Sequence, residues 1–127
     1  MTRLLWVCLG SAFGGGARYL LGGWIQRSLG STFPFGTLAV NVIGSFLLGI
    51  LMQVGVTRNL FSPTLRLALT TGVMGGFTTY STFNYETVQS LEEGAWAAGI
   101  VNIGVTVGAC LLAGFLGLAG GRALVGD

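Results

Sequence analysis

Charge is absent from this chain over stretches that no water-soluble domain of its size sustains. Gly94 to Gly121 runs 28 residues without a charged side chain, Ser28 to Thr57 runs 30 including a loop at its start, and Leu67 to Tyr85 runs 19. About 20 mostly apolar residues suffice for a helix to cross a bilayer. Only 8% of the residues are charged, against about 25% in a soluble domain, so lipid must be the main solvent. The opening stretch, Arg3 and then Leu4-Leu5-Trp6-Val7-Cys8-Leu9, has the look of a secretory signal. It reads instead as the start of a membrane helix, because the hydrophobicity continues through Leu20-Leu21 and no soluble domain follows.

The pattern predicts an all-α membrane protein of four transmembrane helices, over about 4–26, 36–56, 64–91 and 95–121, in one domain spanning 1–127. The connections are short. The first holds Gly30 and Pro34; the second holds Arg58, Asn59 and Pro63, with Ser62 or Thr64 able to cap the next helix; the third is a tight turn at Glu92-Glu93-Gly94. There are 23 glycines. In lipid, glycine lets backbones approach closely. Gly10 and Gly14 on the first helix, and Ala109, Ala113, Gly117 and Gly121 on the fourth, form small-residue faces that predict tight helix contacts. Arg3, Arg58, Arg66 and Arg122 fall on the side of the termini, while Arg27 shares the opposite side with Glu92 and Glu93. By the positive-inside rule this places the termini in the cytoplasm.

Several classes of function drop out. The net charge of +2 gives no reason to expect nucleic acid, and the chain has no histidine. Cys8 and Cys110 lie alone in different helices and read as small apolar packing residues. No nucleophile–base pair is available for an enzyme.

The polar residues inside the helices are costly there and point to function. Arg18 lies well inside the first helix and Glu86 in the second half of the third; each should face a water-filled vestibule or an ionic partner, although Arg18 could also snorkel. Asn41 carries two N–H donors, which can serve an ion or an interhelical hydrogen bond. The densest feature is Gly72-Val73-Met74-Gly75-Gly76-Phe77-Thr78-Thr79-Tyr80-Ser81-Thr82-Phe83. Gly75-Gly76 followed by two β-branched threonines should break the helix in mid-membrane. The freed carbonyls must then be satisfied by protein, water or an ion, and Na⁺ is a frequent choice. Thr79, Ser81 and Thr82 add hydroxyls, and Tyr80 and Phe83 share a face. Hydroxyls, an amide and the positive edges of aromatic rings suit a small anion.

These residues resemble one family, the small Fluc (CrcB) fluoride channels. Gly14-Gly15-Gly16-Ala17-Arg18-Tyr19 is similar to the family's first-helix motif, Phe35-Gly36-Thr37-Leu38-Ala39-Val40-Asn41 to its second-helix stretch, and Gly75 through Phe83 to its third-helix signature. The resemblance implies a passive fluoride channel in a bacterial inner or plasma membrane. It implies an antiparallel, dual-topology homodimer with two pores and a structural Na⁺ at its centre, held by the carbonyls of Gly75 and Thr78. It implies a fluoride path past Asn41, Thr79, Tyr80, Ser81, Thr82 and Phe83, with Arg18 near a vestibule. Two features depart from the pattern. Tyr80 stands where the family usually has Phe. Ala109 and Ala113 stand where the fourth helix is expected to carry Ser and Thr, with Thr106 and Cys110 nearby. The arginine bias also favours one orientation over two.

Two other readings compete. A small multidrug-resistance-type exporter has this size but needs a carboxylate in mid helix 1, and none is present. A non-transporting membrane assembly subunit would explain the glycines but not a helix break beside clustered hydroxyls.

Overall fold

The structure is a computed structural model that describes residues 1–57 and 59–126. Arg58, one of the arginines in the orientation argument, lies outside the described residues. The regular structure among the described residues is all helical, with no strand. The elements are α1 (Thr2–Leu29), α2 (Phe35–Thr57), α3 (Pro63–Leu67), a π-helical stretch (Ala68–Met74), α4 (Gly75–Phe77), α5 (Tyr80–Glu92) and α6 (Trp96–Val125). Three helices, α1, α2 and α6, are long and apolar enough to cross a membrane. The segment that the sequence reads as the third crossing is divided: α3, the π-helical stretch and α4 make its first half, and α5 makes its second.

The helix ends follow local chemistry. Gly30 and Gly126 close α1 and α6 in the left-handed conformation, each returning its N–H to a carbonyl of the last turn. Ser62 caps α3 by accepting from the Leu65 N–H, and Pro63 sits at the first helical position, where its missing N–H costs nothing. Gln26 fixes the first connection: its amide donates to the carbonyls of Ser31 (2.7 Å) and Phe33 (3.0 Å), and its oxygen accepts from the Gly36 N–H.

Glycine sets the packing. α2 and α6 form the broadest seam. A Cβ on Gly49 would stand 2.8 Å from the Gly114 carbonyl, and one on Gly121 would stand 2.7 Å from the Gln53 side chain. A Cβ on Gly117 would strike the Phe46 carbonyl. The expected face on the fourth helix is therefore present, with Ala113, Gly117 and Gly121 all buried. α1 packs in the same way on the first half of the divided crossing. A Cβ on Gly10 would stand 2.6 Å from the Ala68 carbonyl, and one on Gly72 would stand 3.0 Å from the Val7 carbonyl. Within this contact the backbone widens into the π-helical stretch. The Thr70 hydroxyl bonds back to the Arg66 carbonyl (2.8 Å) at its start, an arrangement that bends helices.

The break lies later than the glycines predict. Gly75 and Gly76 are helical, and the chain turns extended at Thr78 (φ −88°, ψ 158°) and Thr79 (φ −151°, ψ 110°). Gly76 serves close approach to α1, since a Cβ there would stand 2.9 Å from Ser11 Cα, whereas a Cβ on Gly75 would meet only the Thr70 carbonyl at 3.9 Å. The β-branched threonines, whose side chains favour extended backbone, carry the break itself. It divides the crossing where it passes α2: the first half packs on α1 and the second on α6.

Candidate functional site

Asn41 holds the break open. Its amide donates to the Thr79 carbonyl (3.0 Å), and its oxygen accepts from the Thr79 N–H (2.7 Å). The side chain thus acts toward Thr79 as a neighbouring strand would, and both residues are buried. Of the two uses foreseen for Asn41, the interhelical hydrogen bond is the one present. Opposite the break α2 carries Gly44, where a Cβ would collide with the Thr78 side chain.

This arrangement frees carbonyls. In a continuous helix the Thr79 N–H would donate to the Gly75 carbonyl, but it is turned to Asn41. The Thr82 N–H would donate to the Thr78 carbonyl, but it goes to Thr79 Oγ1, the N-cap of α5. The carbonyls of Gly75 and Thr78 therefore lose their in-helix donors. No group of three or more His, Cys, Asp or Glu that could hold a metal occurs among the described residues. A cation at the break would meet the neutral carbonyl oxygens of Gly75 and Thr78.

The residues around the break divide between two hollows. A groove of about 310 Å³ is lined by Asn41, Gly44, Ser45 and Leu48 from α2, by Thr78, Tyr80 and Phe83 at the break, and by Thr106, Val107 and Cys110 from α6. The Tyr80 and Phe83 rings meet edge-on there, with centroids 5.8 Å apart and planes at 62°. Phe83 is buried, whereas Tyr80 is 76% exposed. A cleft of about 680 Å³ opens toward the first and third connections, lined by Arg18, Gln26, Arg27, Thr37, Thr79, Thr82, Glu86 and Glu93 among others. Arg18 accordingly faces the cleft, as a vestibule residue would.

Glu86 lines the same cleft. One carboxylate oxygen accepts from the Thr37 hydroxyl (2.7 Å), and the other is buried without a hydrogen-bond partner in the structure. The Thr79 hydroxyl donates to Thr82 Oγ1 (2.9 Å) and lies 3.4 Å from Ser81 Oγ. Ser81 is exposed and lines neither hollow. The expected residues are thus distributed: Asn41, Tyr80 and Phe83 in the groove, Arg18, Thr79 and Thr82 in the cleft, and Ser81 at the outer edge of the hydroxyl cluster.

On the fourth helix the structure corrects the register. The polar pair four residues apart that faces the groove is Thr106 and Cys110, not positions 109 and 113. Ser45 of α2 lines the same groove as Cys110. Sequence reasoning missed the group behind this pair, Asn102 and Thr87. Asn102 donates to Thr87 Oγ1 (2.9 Å), and the Thr106 hydroxyl donates to Asn102 Oδ1 (3.2 Å). A signal was available: Asn102 and Thr106 are an i, i+4 polar pair in an otherwise apolar helix, the spacing that places two side chains on one face.

Comparison with known proteins bears on this same stretch of chain. The family described as CrcB-like protein, Camphor Resistance (CrcB) matches residues 5–118. A protein of Sorangium cellulosum named fluoride-specific ion channel FluC is 57% identical over 125 residues, covering 98% of each chain. The protein of that name in Pelobacter propionicus is 48% identical over 98% of this chain and 97% of its own. That of an Anaeromyxobacter species is 54% identical over 91% of each. The match runs from α1 through the divided crossing and into α6, so it takes in every residue of both hollows, and the chain belongs to the CrcB-like family.

Proposed function

We infer that this protein is a fluoride-specific ion channel, a multi-pass membrane protein and not an enzyme. The observation that carries the reading is the near full-length likeness to proteins of that name, joined to a divided crossing that sets an amide, hydroxyls and an aromatic edge around a groove. Fluoride passes the groove beside Asn41, Tyr80 and Phe83 and reaches the cleft through the hydroxyls of Thr79 and Thr82, with Ser81 at their edge. Arg18 gives the cleft a positive group that draws anions. Conduction is passive and lets fluoride leave the cell down its gradient, across a bacterial plasma membrane.

The active unit is an antiparallel homodimer with two pores. The groove is open on one side in a single chain, and Tyr80 stands exposed at its rim, so a second copy is what closes it. A Na⁺ ion at the dimer centre is held by the carbonyls of Gly75 and Thr78, which are the oxygens released by the break. Neutral carbonyl oxygens suit a hard monovalent cation. The ion is structural and is not transported.

Liposomes containing the purified protein test the function. Fluoride efflux with negligible chloride efflux is the expected result, and equal flux of the two halides overturns it. Replacing Na⁺ by a large organic cation should lower dimer stability, read as the proportion of monomer in detergent; an unchanged proportion removes the ion from the assembly.

A further inference from the structure

We propose that Asn102 is a positioning residue that controls where the Thr106 hydroxyl sends its proton. The inference rests on the reading of the groove as the fluoride path. Four buried residues at the α5–α6 contact form one chain of hydrogen bonds: Thr106, Asn102, Thr87 and Phe83, exposed by 6%, 3%, 6% and 8%. The direction of the chain follows from its end. The Phe83 carbonyl can only accept, so the Thr87 hydroxyl, 2.8 Å away, donates to it. Thr87 has no second proton and must accept from its other neighbour, which turns the NH₂ of Asn102 toward it. Asn102 Oδ1 then faces Thr106, and the single Thr106 proton is drawn to it.

The consequence falls on the groove. Thr106 lines it beside Phe83, yet its hydroxyl proton points to Asn102 and its lone pairs are what remain. Lone pairs repel an anion. Fluoride gains a donor here only when the hydroxyl rotates away from Asn102, so each ion competes with an internal acceptor. That competition weakens the site, as a conduit requires of a site that an ion must also leave. Asn102 and Thr87 do not line the groove and act through Thr106 alone.

Two substitutions release the proton by different routes. Asn102→Leu removes the acceptor. Thr87→Val removes the partner of the Asn102 amide, so the amide can turn over and donate to Thr106 instead. Measured as fluoride efflux from liposomes, each should lower the fluoride concentration for half-maximal flux by about two- to tenfold, the span of one net hydrogen bond. Thr87→Ser keeps the hydroxyl and should return the parental value. In a Thr106→Val background neither substitution should shift the concentration further, because the group it acts through is gone. If Asn102→Leu does not fold, Thr87→Val decides alone. A folded Thr87→Val channel with the parental half-maximal concentration overturns the proposal, as does a shift that persists without the Thr106 hydroxyl. Phe83→Ile separates the two levels. If it conducts like the parent, the groove is not the path and the reading beneath fails. If it abolishes flux while Thr87→Val and Asn102→Leu change nothing, only the inference about Asn102 fails.

Discussion

The two halves of the divided crossing are held by different forces. The first half, Pro63 to Phe77, meets α1 through backbone: Gly10, Gly14, Gly72 and Gly76 bring main chains together where any side chain would collide. The second half, Tyr80 to Glu92, is tied to its neighbours by side-chain hydrogen bonds, from Asn41 at the break, from Thr37 to Glu86 and from Asn102 to Thr87. Close backbone packing in lipid tolerates almost no change in shape. A buried hydrogen bond tolerates shape changes but not a change in donor or acceptor. The first half should therefore fail by losing the fold and the second by losing conduction.

The sharpest way to break that contrast is at Gly14. A Cβ there would stand 2.9 Å from the Phe77 N–H nitrogen and collide with the Val73 backbone. Gly14→Leu should exceed the roughly 1–3 kcal/mol typical of overpacking, because the clash is with main chain. No folded protein should be recovered on size-exclusion chromatography. A folded, conducting Gly14→Leu protein would show that the first half is not held by backbone contact.

Asn41→Asp should act on conduction and leave the assembly in place. The Thr79 N–H keeps an acceptor, but the Thr79 carbonyl loses its donor and faces an oxygen. An added negative charge beside the groove also repels fluoride. Flux should fall about a hundredfold or more, equivalent to a barrier to the anion raised by roughly 3 kcal/mol. Circular dichroism of the purified protein should stay helical. Near-parental flux would reduce Asn41 to a packing residue.

The smallest effect belongs to Tyr80→Phe. The ring that meets Phe83 edge-on is retained, and Tyr80 is largely exposed. Flux and selectivity over chloride should stay within about twofold of the parent, as expected of a surface change of about 0.5 kcal/mol or less. A dead Tyr80→Phe channel would mean that the phenol, and not the ring edge, handles the ion.

Much of this was legible before the structure. Uncharged runs located the helices to within a few residues, because lipid enforces one strong rule about charge. The four-residue spacing of Ala109, Ala113, Gly117 and Gly121 marked a face of α6 for close contact, of which Ala113, Gly117 and Gly121 are buried; helical period and residue size decide the face, but they do not name α2 as its partner. The break was legible as an event but not as a position. A glycine such as Gly76 can serve flexibility or close approach, and only its partner Ser11 reveals that approach is the one in force. The register of α6 was hidden for a related reason. Which of its small and polar residues face the groove depends on its rotation against α2, and nothing local to the sequence reports that angle. The chain from Thr106 to Phe83 joins residues 23 positions apart through a contact between two helices, and no local pattern encodes it.

The division of the third crossing also bears on how the protein is held in lipid. A segment enters the bilayer from the insertion machinery according to its hydrophobicity, and α5 is a poor candidate. It spans 13 residues, Tyr-Ser-Thr-Phe-Asn-Tyr-Glu-Thr-Val-Gln-Ser-Leu-Glu, shorter and more polar than a self-inserting helix. It is followed after a tight turn by α6, whose 30 residues are among the most apolar in the chain. Its own hydrophobicity therefore contributes little to holding the second half of the crossing in lipid. What it lacks in apolar surface is offset by its neighbour: α6 brings Asn102 to Thr87, and the polar groups of the short helix are satisfied by protein instead of water. The least hydrophobic segment is thus soluble in the bilayer only as a partner of one of the most hydrophobic.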